Sequence, residues 1–219
     1  MRSKTETIVR LERCGLVPVI RVSSAQDALD TAEALREGGV DVIEVTMSVP
    51  GALNAIETLH NRFGDEVVLG AGTVLDTETA RLAILAGAEV LVSPNLTLDV
   101  VELCHGYGVV AMPGALTPTE IMQAWEAGAD LVKVFPAGLV GGPRYIKAVK
   151  EPLPQVALVA LGGVNLETTP EYIKAGATAV GVGAALVDKA AIAEKRFGVI
   201  TEKARQFRAA VEQARNQKG

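Results

Sequence analysis

Short apolar runs recur along the chain, and polar stretches with helical spacing separate them. Val17 to Arg21, Val40 to Thr46, Val67 to Ala71 and Val90 to Ser93 are four such runs. Val109 to Met112, Leu131 to Pro136, Val156 to Leu161 and Ala179 to Val182 are four more. Brief, nearly unbroken apolar segments bounded by glycine or proline are what strands buried on both faces look like. Eight strands are therefore predicted. The intervening segments carry helix signals. Ser24 is placed to cap a helix running to about Glu37, and Pro50 to open the next one. A helix over about Thr77 to Ala86 follows the third strand. Thr117-Pro118-Thr119-Glu120 combines a capping threonine, a proline at the first position and a glutamate at the third. Pro143 starts a helix after Gly141-Gly142. Two more helices lie outside this alternation: one over about residues 3–14, with Ile8, Val9 and Leu11 on its apolar side, and one over about 192–217, with charges spread along a solvated face.

Strict alternation of strand and helix argues for a parallel sheet with the helices outside. An internal echo supports this. Gly38-Gly39-Val40, Ala86-Gly87-Ala88, Ala127-Gly128-Ala129 and Ala175-Gly176-Ala177 each stand between a helix and a strand. The central glycines are 48, 41 and 48 positions apart (87−39, 128−87, 176−128). That spacing fits two strand-plus-helix units, given eight such units in roughly 250 residues for a closed barrel. Each glycine is accounted for locally as a left-handed helix stop. The expected architecture is an α/β, single-domain (β/α)8 TIM barrel over residues 1–219 with an extra N-terminal helix. An open doubly wound sheet is the competing arrangement.

Composition narrows the function. With 219 residues, 49% hydrophobic and 21% charged, the chain can fill one sizeable core. A net charge of −5, with no lysine or arginine run, disfavours nucleic acid and anionic membranes as partners. No apolar segment reaches the roughly 18 residues of a membrane span, and the polar start is unlike a secretory signal. Two scattered cysteines, Cys14 and Cys104, read as reduced thiols of a cytoplasmic protein. Two histidines, His60 and His105, both in helical stretches, supply no zinc site.

One position breaks the apolar pattern conspicuously. Lys133 sits within Leu131-Val132-Lys133-Val134-Phe135-Pro136. Lysine is almost never fully buried unless it is paired or used. Burial would make its amine neutral and nucleophilic near neutral pH. The alternative is a strand-end lysine whose head reaches water. Active sites of such barrels lie at the C-terminal strand ends. There, residue parity offers Arg21 from the first strand, Glu44 and Thr46 from the second, Thr73 from the third (with Leu69 and Ala71) and Lys133 from the sixth. All are expected to point inward. Arg21, Glu44 and Lys133 could equally neutralise one another as a structural ion network, although such a cluster usually has a functional reason. Gly162-Gly163 follows the seventh strand, and Gly183-Ala184 ends the eighth. These are the strand ends where phosphate commonly binds backbone N–H groups in this fold.

Glu44-Val45-Thr46, Gly70-Ala71-Gly72-Thr73-Val74, Ser93-Pro94, Met112-Pro113-Gly114, Lys133-Val134-Phe135-Pro136 and Gly162-Gly163-Val164 fall in this order along the chain. Together they resemble the 2-keto-3-deoxy-6-phosphogluconate (KDPG) and 4-hydroxy-2-oxoglutarate aldolase family, over about residues 15–190. The resemblance implies a (β/α)8 barrel, typically a homotrimer, acting on a small keto acid. It implies that Lys133 forms a Schiff base with the keto carbon, that Glu44 is the general acid/base and that Thr73 holds the pyruvate carboxylate. It also implies that Gly162, Gly163, Gly183 and Ala184 hold a distal phosphate. Pro94, Phe135 and Leu161 complete the expected substrate site. Some members carry an arginine at the position of Ser48; here Arg21 is expected to bring that charge. Gluconate-specific members tend to have threonine where this chain has Leu161, which is closer to the galactonate type. Serine is often found where this chain has Ala184. No metal or organic cofactor is implied. The rival readings are a cofactor-free phosphosugar isomerase or synthase on the same barrel, and a barrel that only binds or assembles.

Overall fold

The computed structural model describes residues 2–217. Nine parallel strands alternate with helices and wrap into a nearly closed barrel. In chain order these are α1 (Lys4–Cys14), β1 (Leu16–Ile20), α2 (Ala25–Glu37), β2 (Val42–Thr46), α3 (Ala52–Phe63), β3 (Val68–Gly72) and α4 (Thr77–Leu85). Next come β4 (Val90–Val92), α5 (Leu98–Tyr107), β5 (Val110–Met112), β6 (Gly114–Ala115), α6 (Pro118–Glu126) and β7 (Val132–Val134). The chain ends with α7 (Pro143–Lys150), β8 (Leu158–Leu161), α8 (Thr169–Lys174), β9 (Ala179–Val182), α9 (Lys189–Ala193) and α10 (Phe197–Asn216). The lateral order is β5-β4-β3-β2-β1-β9-β8-β7-β6.

The nine strands make the expected eight staves, because β5 and β6 are two halves of one. The fifth stave is interrupted at Pro113, which has no N–H to give a neighbour. Its first half pairs with β4 and its second half with β7. The Pro113 carbonyl still accepts from the Lys133 amide at 2.9 Å. The barrel therefore closes through one kinked stave.

Local chemistry explains most of the helix ends. The Ser24 hydroxyl accepts from the Asp27 amide and starts α2. Thr117 and Glu120 form both halves of a capping box on α6, and Pro143 occupies the first turn of α7. Gly39, Gly87, Gly128 and Gly176 have φ of 83°, 104°, 88° and 105°, left-handed values that stop a helix without steric cost. The rings of His60 and His105 pack directly on Gly87 and Gly128, outside the barrel mouth.

Three expectations are corrected. Pro50 lies in the turn before α3, which starts at Ala52 after Gly51. Val9 is 55% exposed, whereas Leu11 is buried and Ile8 packs against the core as expected, and α1 also buries Thr7 and Cys14. The tail is two helices, because Asp188 caps a short α9 and Lys195 then takes a left-handed φ of 56°. The second of these, α10, buries Ile200, Ala204, Phe207 and Val211.

Helix α1 closes the N-terminal end of the barrel. Both carboxylate oxygens of Glu89 accept from Arg2 Nη1 at 2.8 Å, and Lys4 pairs with Asp130 at 2.9 Å. The opposite end is left open.

Candidate active site

Register decides which side chains meet inside. Val19 pairs with Glu44, Glu44 with Gly70, Lys133 with Val159 and Leu161 with Gly181. Partners in a ladder point the same way, and parity alternates along each strand. Glu44 and Lys133 are thus both interior, with 1% and 5% of their surfaces exposed. The alternative of a lysine head in water is excluded. Leu161 is interior too, in space that Gly181 leaves free: a Cβ on that glycine would overlap the leucine side chain.

Strand β3 corrects the sequence parity. Gly70 and Gly72 face the interior, and Leu69 and Ala71 turn toward the helices. Thr73 nevertheless arrives at the mouth, because the strand ends at Gly72 and Thr73 takes a left-handed φ of 61°. A β-branched residue there costs on the order of 1–3 kcal/mol, a strain that clusters at functional sites. Its Oγ1 accepts from Arg21 Nη2 at 3.4 Å. Thr46 is buried and committed elsewhere, donating to the Ile20 carbonyl at 3.1 Å and lying 2.8 Å from the Ser48 hydroxyl.

Gly72 is the residue that sequence reasoning missed. A Cβ there would overlap the Glu44 carboxylate and lie 2.8 Å from its Cγ. The missing side chain is what lets the carboxyl group occupy the barrel axis. Its Oε2 is buried without a hydrogen-bond partner among the described residues.

Burial dominates the protonation of the pair. It pushes the Lys133 pKa down, with Glu44 opposing and Arg21 assisting. It pushes the Glu44 pKa up, with Lys133 and Arg21 opposing. Each group is therefore driven toward its neutral form, as a nucleophilic amine and a proton-carrying acid require. The Lys133 Nζ lies 5.1 Å from the centroid of the Phe135 ring, which stands at the rim. Both thiols are buried and unpaired, and burial holds Cys104 up at about 12, so neither offers a thiolate. Among the described residues no three His, Cys, Asp or Glu side chains cluster as a metal site needs.

A cavity of about 520 Å³ opens over this end of the barrel. Of the expected site it is lined by Arg21, Phe135, Leu161, Gly162, Gly163, Gly183 and Ala184. Gly162 and Gly163 have φ of 91° and 78°, so their backbone turns where other residues would be strained. The amides of Gly163, Val164, Ala184 and Ala185 donate to no acceptor among the described residues. Asn165 also lines the cavity, unforeseen, because only the folded loop brings it there. Lys133, Glu44, Thr73 and Pro94 are not among its lining residues: Lys133 and Glu44 are buried in the barrel interior, Thr73 is bonded to the lining Arg21, and the Pro94 backbone packs against Gly114, which pairs with Lys133. A larger hollow of about 880 Å³ lies outside the barrel between α7 and α8 and shares no residue with the mouth.

Residues 7–203 match the profile of a family described as KDPG and KHG aldolase. The chain belongs to this aldolase family. It is 38% identical over 191 residues to the 2-dehydro-3-deoxy-phosphogluconate aldolase of Treponema pallidum, covering 87% of this chain and 90% of the relative. It is 36% identical over 172 residues to the 2-dehydro-3-deoxy-6-phosphogalactonate aldolase of Escherichia coli, covering 78% and 83%. The structure of the KDPG aldolase from Legionella pneumophila, with pyruvate captured as a covalent carbinolamine intermediate, superposes with a TM-score of 0.84. That pair is 32% identical, with 91% of this chain and 96% of the other covered. Membership of the KDPG and KHG aldolases makes this chain an aldehyde-lyase of the class I type. It also removes the isomerase and scaffold readings.

Proposed function

We propose that this aldolase cleaves a 2-keto-3-deoxy-6-phospho sugar acid to pyruvate and glyceraldehyde 3-phosphate through a Schiff base on Lys133. It would act also on 4-hydroxy-2-oxoglutarate, giving pyruvate and glyoxylate. The observation that carries this reading is the buried Lys133 amine sharing the barrel interior with Glu44. Neutral Lys133 Nζ attacks the C2 carbonyl; protonated Glu44 gives its proton to the departing C2 hydroxyl, so water leaves and an iminium remains opposite a Glu44 carboxylate. Glu44 takes the proton of the C4 hydroxyl, directly or through one water. The C3–C4 bond breaks, and its electron pair moves to the iminium to give an enamine and a free aldehyde. Glu44 returns a proton to C3, and hydrolysis releases pyruvate and regenerates Lys133.

Arg21 and Thr73 hold the keto-acid carboxylate, and fixing it next to the amine supplies part of the rate. Phe135 and Leu161 form the apolar wall beside the carbon chain, with Pro94 behind the strand that faces Lys133. The amides near Gly162, Gly163, Gly183 and Ala184 receive the phosphate. No cofactor takes part in this sequence of steps. The apolar Leu161 stands where gluconate-specific members of the family tend to have threonine, which supports the galactonate-type epimer.

The test is borohydride reduction in the presence of pyruvate, followed by peptide mapping. A reduced pyruvyl adduct on Lys133 is expected. Modification of another lysine, such as Lys147, removes the Schiff-base assignment. Comparing turnover of both C4 epimers and of 4-hydroxy-2-oxoglutarate then ranks the substrates.

The assembly we propose is a homotrimer of single-domain barrels. Leu75, Leu82, Leu85 and Leu98 support it: they are 52–65% exposed and gather around α4 and the start of α5. Light scattering is expected to give three copies, and Leu85→Glu to give one. A cytoplasmic location is supported by two buried, unpaired cysteines. No helix among the described residues is long and apolar enough to cross a membrane.

A further inference from the structure

Lys189 begins α9, after the turn that follows β9. It lines a small cavity of about 150 Å³ together with Val19, Arg21, Gly183, Ala184 and Val187. Four of those residues, Val19, Arg21, Gly183 and Ala184, also line the main mouth. A second hollow, of about 340 Å³, again joins Lys189 to Arg21. The lysine thus stands over the end of the site where the Gly183-Ala184 amides are presented.

Lys189 makes no salt bridge among the described residues. The carboxylate next to it in sequence, Asp188, and the one that lines the same hollow, Asp27, are engaged elsewhere. Asp188 pairs with Lys203 Nζ at 2.8 Å and accepts from the Ala190 and Ala191 amides. Asp27 pairs with Lys195 Nζ at 2.8 Å and accepts from the Ser24 hydroxyl at 2.7 Å. A cation with no partner, at the rim of a cavity already lined by one arginine, is a binding site for an anion.

Charge counting makes the need specific. The cleaved substrate carries a carboxylate at one end and a phosphate at the other. Arg21 is bonded to Thr73 and tied electrostatically to Glu44 and Lys133. Its charge belongs to the carboxylate end. Ala184 contributes no hydroxyl, so with Arg21 engaged at the carboxylate end Lys189 is the further cation on the phosphate side of the cavity.

We infer that Lys189 is a binding residue for the distal phosphate, its ammonium closing over the oxygens held by the Gly183-Ala184 turn. This rests on the reading that the substrate is a phosphorylated keto acid. The contact is charge-assisted, exposed on one side and open to screening by salt. Its expected weight is about tenfold in affinity, the lower end for a hydrogen bond to a charged group.

The test compares wild type, Lys189→Ala and Lys189→Arg on the phosphorylated keto acid and on the same acid without phosphate. For Lys189→Ala, KM for the phosphorylated acid should rise about tenfold with kcat little changed. The preference for phosphorylated over unphosphorylated acid should fall by the same factor. Inorganic phosphate should lose potency as a competitive inhibitor, and Lys189→Arg should restore most of both. Equal losses on the two acids would make Lys189 structural and overturn the inference. An unchanged preference in a wild type that favours phosphate would overturn it alone. A wild type indifferent to phosphate would remove the inference together with the phosphate part of the substrate reading, and would leave the Lys133 adduct test standing.

Discussion

Gly72→Ala isolates the placement of the proposed base from its chemistry. The added Cβ would overlap the Glu44 carboxylate, with Glu44 Cγ 2.8 Å away. Glu44 is flanked by buried staves, so the carboxyl group must leave the barrel axis or the strands must part. Overpacking of this kind costs about 1–3 kcal/mol of stability. The kinetic cost is larger. A positioned general acid/base is worth roughly 10²–10⁴ in rate, or about 2.7–5.4 kcal/mol of barrier. The carboxylate is displaced rather than deleted, so the expected fall in kcat is about 10², the lower bound. Gly70→Ala is the internal control. It lies on the same strand and faces the same way, but its Cβ would meet Val90 and Glu44 backbone and Cβ atoms at 3.5–3.7 Å, ordinary contact distances. The assay is steady-state cleavage beside thermal melting and pyruvate trapping. Gly72→Ala should still trap pyruvate on Lys133 while turnover collapses, and Gly70→Ala should keep most of its turnover. A Gly72→Ala enzyme within a few-fold of wild-type kcat, melting normally, would refute the claim that Glu44 must sit where glycine lets it.

Two other perturbations probe the same charges. Arg21 pushes the Lys133 pKa down and the Glu44 pKa down, since one guanidinium disfavours an ammonium and favours a carboxylate. Arg21→Ala should therefore move both limbs of the kcat/KM–pH profile to higher pH and raise KM by roughly 10- to 150-fold through the lost carboxylate contact; a downward or absent shift would refute the shared field. The double variant Glu44→Leu/Lys133→Met should be inactive yet more stable by about 1–4 kcal/mol, as when buried ion pairs give way to well-packed hydrophobic residues of similar volume. At this chain length that is about 2–4 °C in Tm per kcal/mol. The sign follows from linkage. The raised pKa of Glu44 gives stability present in acid and lost as pH rises through the raised value; the depressed pKa of Lys133 gives stability present in alkali and lost as pH falls through the depressed value. Both groups are on their costly side near neutrality, so the gain should be largest there, and a variant melting below wild type at pH 7 would sink the reading.

Much of this site could be read before folding. An unbroken apolar run makes any inserted charge conspicuous, so Lys133, Glu44 and Arg21 announced themselves. Caps are local chemistry, which is why Ser24 and Thr117 mark their helices within a residue. What failed were features set by neighbours. The inward face of β3 depends on its register with β2, and no property of Leu69-Ala71-Thr73 encodes that register. Thr73 reached the mouth by a left-handed turn that a β-branched residue does not advertise. The break lies in a run of good helix formers, where α9 ends at Ala193 and Lys195 takes a left-handed φ that nothing in the local sequence announces. Asn165 and Lys189 were invisible for the same reason: loop and rim residues join a site through tertiary approach alone.

The two ends of the barrel spend charge differently, and the contrast is itself an argument for where chemistry happens. At the closed end Glu89 is buried with both oxygens bonded to Arg2, and Thr7 Oγ1 lies 3.4 Å from one of them. Such a carboxylate is satisfied and has nothing left to offer a ligand. At the open end Glu44 is equally buried, yet neither carboxylate oxygen accepts a hydrogen bond among the described residues, and its cationic neighbour Lys133 is driven by burial toward neutrality. Strain accumulates at the same end, in the left-handed backbone of Thr73. A purely structural carboxylate would have had both oxygens bonded, as those of Glu89 are. An unbonded acid beside a discharging amine is poised for a substrate that supplies the missing hydroxyl and carbonyl.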